Sequence, residues 1–260
     1  MNNDRFLQAL ADKLYLAERD RVAIPPLTTL SDALTLDDAY AIQLTNIDRV
    51  TAMGYEISGK KIGLTSPGIQ RQLGVDEPDY GHLFAAMECR EGVIDTAQLI
   101  APKIEAELAF VLGADLTGGK VTARDVCKAT EYVVGAFEIV DSRVADWKIK
   151  LVDTVADNAS SGRYILGEKR LRVDEVDLPS EYMILYKNGE KVQEGSGANV
   201  MGNPCVAVAW LANRLWGFGV PLKKGEVILS GAFSAAPAAV KGDIFKVEFK
   251  SFGTVNAEFV

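Results

Sequence analysis

The chain has 260 residues, 28 Lys+Arg against 36 Asp+Glu, a formal net charge of -8 and a single histidine. An apolar fraction of 48% excludes a disordered chain and requires a sizeable core. The acidic balance argues against a nucleic-acid partner, and one imidazole excludes a polyhistidine metal site.

Ser-His-Asp or Cys-His chemistry would have to use His82. Proton transfer otherwise falls to Asp, Glu, Lys, Tyr or a metal-bound water, and any metal should be a hard cation held by oxygen. Cys89, Cys127 and Cys205 show no CxxC spacing, which argues against a disulfide framework or zinc ribbon and fits a reducing cytoplasm. The N-terminal stretch carries acids throughout and has no signal-peptide apolar block. The longest apolar run, Cys205 to Ala212, is far below the ~20 residues of a membrane span, so no membrane partner is expected.

Phe6, Leu7, Leu10, Leu14 and Ala17 recur at helical spacing, with Asn3 or Asp4 available as N-cap. Pro25-Pro26 ends that region. Thr35 and Asp38 form a T-x-x-D capping box. Leu36, Tyr40, Leu44, Ile47 and Val50 make the apolar stripe of a second helix, and Gly54 suits its C′ position. In GKKIGLTS, Lys60 and Lys61 point to opposite faces if the segment is a strand, so one at most should reach a site. Lys61 could orient a substrate carboxylate or relay a proton; a solvated lysine is the plainer reading.

From Lys103 to Leu112 the period is two. Ile104, Ala106, Leu108, Phe110 and Leu112 face one side and Lys103, Glu105 and Glu107 the other. Thr122 and Asp125 predict a short helix to about Tyr132, and Val133–Val140 a buried strand. Asn188-Gly189 signals a hairpin between Met183–Tyr186 and Lys191–Glu194. Asn203 and Pro204 suit the N-cap and N1 of a helix running to Trp216 and stopped at Gly217. Strands are expected at Val227–Leu229, Ile244–Lys250 and Thr254–Val260. The organisation is α+β, with a helical segment over residues 1–55 and a mostly β body over 56–260 acting as one unit.

Glu105 and Glu107 stand on one strand face roughly 7 Å apart. Two such carboxylates repel unless solvent, a base or a cation lies between them. Glu138 sits in the apolar run VVGAFEIV, where a glutamate needs a partner or a metal. Together the three glutamates would make a carboxylate site with open coordination positions. A solvated E-x-E face, and pairing of Glu138 with Arg143 or Lys103, are the alternatives. The segment Asp153–Gly162 reads as a polar loop. It could present hydroxyls and N–H groups to an anion, but Asx and ST turns at Asp157, Asn158 and Ser160 are the preferred reading. Gly195-x-Gly197 lacks dinucleotide-binding spacing, Gly118-Gly119-Lys120 is followed by Val121 rather than Ser or Thr, and His82 reads as structural.

The ordered run GKKIGLTS, EPDYG, APKIEAELAFVL, FEIVDSR, DTVADNASSG and GEVILSGA resembles the hydratase/decarboxylase branch of the fumarylacetoacetate hydrolase superfamily, and most closely its 2-oxopent-4-enoate (2-hydroxypenta-2,4-dienoate) hydratases. The resemblance spans nearly the whole chain. It implies the superfamily's mixed β-roll behind an N-terminal helical segment, and a Mg²⁺ or Mn²⁺ ion held by Glu105, Glu107 and Glu138. By the same resemblance Lys61 and Asp79 are catalytic, while Ser160, Leu64 and Thr65 bind substrate. It also implies a small 2-hydroxydienoate or 2-oxo acid substrate, a homo-oligomer, a complex with a neighbouring enzyme of aromatic meta-cleavage catabolism, and a cytoplasmic location. Asp79 stands where the resembling hydratases carry Asp and the related 4-oxalocrotonate decarboxylases an apolar residue. Ser161, in contrast, gives ADNASS a decarboxylase-like spelling. Decarboxylation of a 2-oxohexenedioate and a non-catalytic partner subunit therefore stay open beside hydration. C–C hydrolysis ranks last, because it generally uses a His-assisted water.

Overall fold

The computed structural model describes residues 3–66, 68, 70, 71, 75 and 77–260. Two N-terminal helices come first. α1 (Asn3–Asp20) buries Leu10, Ala11, Leu14 and Ala17. Asn3 and Asp4 lie inside its first turn rather than ahead of it as caps, where Asp4 still complements the positive end of the helix. α2 (Leu36–Ala52) starts on the expected capping box. Thr35 Oγ1 accepts from Asp38 N–H at 3.1 Å, and Asp38 Oδ2 accepts from Thr35 N–H at 2.9 Å. Gly54, at φ 94, follows the Met53 C-cap.

A six-stranded mixed sheet comes next in space, in the order β2-β1-β9-β4-β5-β6. Its strands are β1 (Ile57–Gly63), β2 (Asp79–Phe84), β4 (Pro102–Leu112), β5 (Thr130–Asp141), β6 (Ser161–Leu166) and β9 (Val227–Leu229). Only the β1–β9 pairing in it is parallel. A second sheet runs β3-β11-β10-β7-β8, formed by β3 (Val93–Ile94), β7 (Tyr182–Lys187), β8 (Glu190–Ser196), β10 (Ile244–Phe249) and β11 (Gly253–Phe259). Positive φ at both Asn188 and Gly189 gives the β7–β8 hairpin the twist-matched turn its dipeptide predicts.

Further helices among the described residues include α3 (Ala123–Ala129), α4 (Leu151–Ala156) and α5 (Pro204–Trp216). Asn203 Oδ1 caps α5 by accepting from Cys205 N–H at 2.9 Å. α3 ends three residues before the expected Tyr132. Thr130 and Tyr132 instead pair with Leu112 and Val111 of β4, because a β-branched and an aromatic residue beside an open ladder favour strand. The closing strands end within one residue of their expected limits. The expected polar loop at 153–162 is α4 followed by a helical turn at Asn158–Ser160, and it is largely buried. No helix among the described residues is long and apolar enough to cross a membrane.

Alternation sorts the large sheet into two faces. Ile104, Ala106, Leu108, Phe110 and Leu112 of β4 join Phe137 and Ile139 of β5, Ile62 and Tyr80 in the main core. The opposite face is polar at one end, with Lys61, Asp79, Glu105, Glu107 and Glu138, and apolar at the other, where Leu83, Ala109, Val134, Ala136, Tyr164 and Leu229 cluster. The apolar end removes water beside the carboxylates, which strengthens every charge interaction there.

Candidate metal centre and active site

Glu105 and Glu138 are direct partners across the β4–β5 ladder, and Glu107 lies two residues further along β4. One carboxylate oxygen from each of the three falls within 4.8 Å of the others. Glu107 and Glu138 are fully buried and Glu105 is half-buried, so the solvated-face alternative for the E-x-E pair does not hold. Glu107 Oε2 accepts from Gly231 N–H at 2.8 Å. Glu107 Oε1 and Glu138 Oε2 have no hydrogen-bond donor among the described residues. Glu138 pairs with neither Arg143 nor Lys103: its Oε1 lies 3.2 Å from Lys61 Nζ.

Burial raises all three glutamates above the usual carboxylate range. For Glu107, Glu138 and Glu105 push the same way; for Glu138, Lys61 opposes. Burial also works against charge on Lys61, but Glu138, Asp79, Glu105 and Glu107 outweigh it and hold the ammonium above its ordinary value. Asp79 is raised by burial against the pull of Lys61, and its Oδ1 has no partner among the described residues. A Cβ at Gly63 would stand 2.2 Å from Asp79 Oδ1 and 3.5 Å from Lys61 Nζ, so only glycine leaves the aspartate its place.

Four carboxylates thus meet one ammonium in a site shielded from water. Such an excess of buried negative charge is costly unless it is protonated or neutralised. Unsatisfied oxygens converging from three glutamates fit a hard divalent cation with positions left for other ligands. Lys60 takes no part: it lies on the other face and pairs with Glu226 at 2.8 Å, as the alternation requires.

Of the remaining expected site residues, Leu64 and Thr65 follow β1, and Ser160 lies in the turn between α4 and β6. Leu64 sits at φ 57 directly after β1, a strained conformation for a branched side chain. Thr65 is buried against Gly231, where a Cβ would lie 2.4 Å from Thr65 Oγ1. It therefore adjoins the N–H that holds Glu107. Ser160 is buried and its Oγ donates to Asp157 Oδ2 at 3.5 Å. Asp157 is not a solvated turn residue. It is clamped by the Arg143 guanidinium, which also donates to Asp141 O and Ser161 O at 2.8 and 2.7 Å. The clamp holds Asn158, Ala159 and Ser160 in three successive left-handed conformations, at φ 53, 49 and 54.

Gln43 was not legible in the sequence. Buried on α2, it donates to Tyr80 O at 3.1 Å and Val155 O at 2.8 Å, and its Oε1 lies 3.2 Å from His82 Nδ1. With the amide N–H groups used, Oε1 must accept, which assigns the proton to Nδ1. His82 is structural, as expected, and burial, then Lys60, push it down to about 3. A polar residue on the apolar stripe of α2 was the one available signal for Gln43.

Residues 89–260 match the family model described as fumarylacetoacetate (FAA) hydrolase C-terminal. The chain is 43% identical over 262 residues to the 2-hydroxyhexa-2,4-dienoate hydratase of Comamonas testosteroni, covering 100% of this chain and 99% of the relative. It is 46% identical over 250 residues to a 2-keto-4-pentenoate hydratase of Paraburkholderia xenovorans (strain LB400), covering 96% and 93%. Among solved structures, the 4-oxalocrotonate decarboxylase from Pseudomonas putida G7, complexed with magnesium and adipate, superposes with a TM-score of 0.96 at 38% identity, covering 99% of this chain and 98% of that one. A mixed curled sheet with a buried carboxylate cluster, matched over this length, defines the class: the chain belongs to the fumarylacetoacetate hydrolase family.

Proposed function

We propose that the protein is a metal-dependent hydro-lyase that adds water to 2-hydroxypenta-2,4-dienoate (2-oxopent-4-enoate) and gives 4-hydroxy-2-oxopentanoate, a step of aromatic meta-cleavage catabolism. The observation that carries this reading is Asp79 Oδ1, buried and unpartnered among the described residues beside Lys61 and the three glutamates. Water addition needs a group that carries protons, and decarboxylation can dispense with one. The two full-length hydratase relatives support the same choice.

Glu105, Glu107 and Glu138 would hold Mg²⁺ or Mn²⁺; the solved decarboxylase was complexed with magnesium. When bound, the cation supplies Lewis acidity to the carboxylate and 2-oxygen of the substrate. Lys61 keeps its ammonium and steadies negative charge on the substrate head group. Asp79, raised by burial, gives its proton to the carbon chain and takes one back from the water that adds at C4. Leu64 and Thr65 shape the site on the Gly231 side, and Ser160 would turn its one hydroxyl proton from Asp157 to the substrate carboxylate.

Decarboxylation of a 2-oxohex-3-enedioate is the second reading, favoured by the close superposition on a decarboxylase. The test is to supply both substrates to the metal-loaded enzyme and to identify products by NMR and CO₂ release. Formation of 4-hydroxy-2-oxopentanoate, with no CO₂ from the dioate, is expected. CO₂ release without hydration would overturn the assignment.

A further inference from the structure

Where α3 packs near the start of α5, two thiols meet. Cys127 is exposed on α3, and Cys205 is buried in the first turn of α5. Their Sγ atoms are 3.5 Å apart, although 78 positions separate them in sequence. A disulfide needs about 2.05 Å between sulfurs, so bonding requires the thiols to close the remaining gap by side-chain rotation and approach of the two helices. Cys89, the third cysteine, makes its contact elsewhere, with Met87 O at 3.9 Å.

We propose that Cys127 and Cys205 are a reversible dithiol–disulfide couple, oxidised by a low-molecular-weight disulfide and joining α3 to α5. The two thiols divide the work by exposure. Solvent reaches Cys127, so its thiolate attacks one sulfur of the small disulfide R–S–S–R. That S–S bond breaks, RS⁻ leaves and takes up the proton Cys127 released, and R–S remains on Cys127. Cys205 is shielded from any bulky oxidant, and burial holds its thiol above the ordinary range. It therefore acts second and at close range. It loses its proton to solvent and attacks the Cys127 sulfur, and the second RS⁻ departs and is protonated. Two thiols and one small disulfide become one protein disulfide and two small thiols, with two electrons passing from the protein.

The couple has a structural address. Cys205 N–H is held by Asn203, and the segment before it runs through Met201, whose N–H donates to Thr65 O at 3.1 Å. Oxidation therefore tethers α3 to the helix start that follows the Thr65 contact.

The experiment is incubation of the full-length protein with oxidised glutathione, alkylation of the remaining thiols and peptide mapping without reductant. Wild type should lose two of its three thiols and yield one peptide joining Cys127 to Cys205, reversed by dithiothreitol. Cys205→Ser should instead trap glutathione on Cys127. Cys127→Ser, an exposed change that leaves packing intact, should keep both remaining thiols free. Glutathione left on Cys127 in wild type, a crosslink through Cys89, or no loss of thiols would each overturn the proposal.

Discussion

The side-chain amide of Asn158 pairs with the backbone of His82 as a peptide group would. Its Oδ1 accepts from His82 N–H at 2.7 Å and its Nδ2 donates to His82 C=O at 3.0 Å. His82 lies on edge strand β2, and Asn158 stands just before edge strand β6. One carboxamide thus joins the two margins of the large sheet where a further strand would otherwise be needed. Backbone approach here is close: a Cβ at Gly81 would stand 2.3 Å from Asn158 O.

Asn158→Ala should therefore destabilise the protein through loss of this closure. Each buried backbone group left unpaired costs about 1–3 kcal/mol. Urea unfolding measures it, with the exposed Val240→Ala as control. An unchanged midpoint in Asn158→Ala would dismiss the closing role.

The glutamate cluster predicts opposite effects with and without metal. Adding Mn²⁺ to metal-free wild type should raise its thermal midpoint, since ligand at 100 times its Kd stabilises by about 2.7 kcal/mol. Glu107→Gln should lose that rise. Without metal, however, it should be at least as stable as wild type, because it removes one of several crowded buried carboxylates. A metal response left intact in Glu107→Gln counts against ligation.

Lys61→Met should both weaken and inactivate the enzyme. It leaves Glu138 without its cation, a loss of about 3–5 kcal/mol for a broken buried pair, and it should lower kcat by about 100-fold or more. Calorimetry with and without metal, and steady-state kinetics, separate the two effects. Wild-type kcat in this variant would remove Lys61 from the mechanism.

Gly63→Ala tests Asp79 without altering it. The added methyl would meet Asp79 Oδ1 at 2.2 Å, so the carboxyl must move. Misplacement on the order of 1 Å can cost about 100-fold in rate. The expected result is a fall in kcat with metal affinity nearly unchanged, read by kinetics and by titration with Mn²⁺.

His82 supplies a pH prediction with a single reporter. Its value falls from 6.5 in the unfolded chain to about 3 in the fold, through burial and then Lys60. The unfolded chain therefore takes the proton first as pH drops. The stability this neutral imidazole contributes is complete above about 6.5 and is lost as pH falls toward about 3. Because the chain has one histidine, its imidazole proton resonance in the untagged protein is unambiguous. No shift should appear between pH 7 and 5; a midpoint near 6.5 would refute the buried, neutral state.

Local chemistry was readable wherever one segment contained the whole cause. The Thr35–Asp38 box, the Asn188-Gly189 turn and the Asn203 cap each depend on neighbours within a few residues, and each formed as expected. The helix expected to reach Tyr132 failed because its competitor, the β4 ladder, lies elsewhere in the chain. The loop expected at 153–162 failed likewise: the Arg143 guanidinium that draws Asp157 inward is visible only after folding.

Sequence alone determined the kind of chemistry. With one imidazole in the chain, any metal site was left to oxygen ligands, and strict alternation along β4 put Glu105 and Glu107 on one face. Only the tertiary structure decided that this face is buried, that Glu138 arrives from the adjacent strand to within 4.8 Å, and that Lys61 rather than Arg143 meets it at 3.2 Å. The reason is one of range. Alternation and capping act over a few residues, whereas burial and charge pairing depend on which distant strands share a sheet, and in this fold β1, β4 and β5 converge around one acidic site.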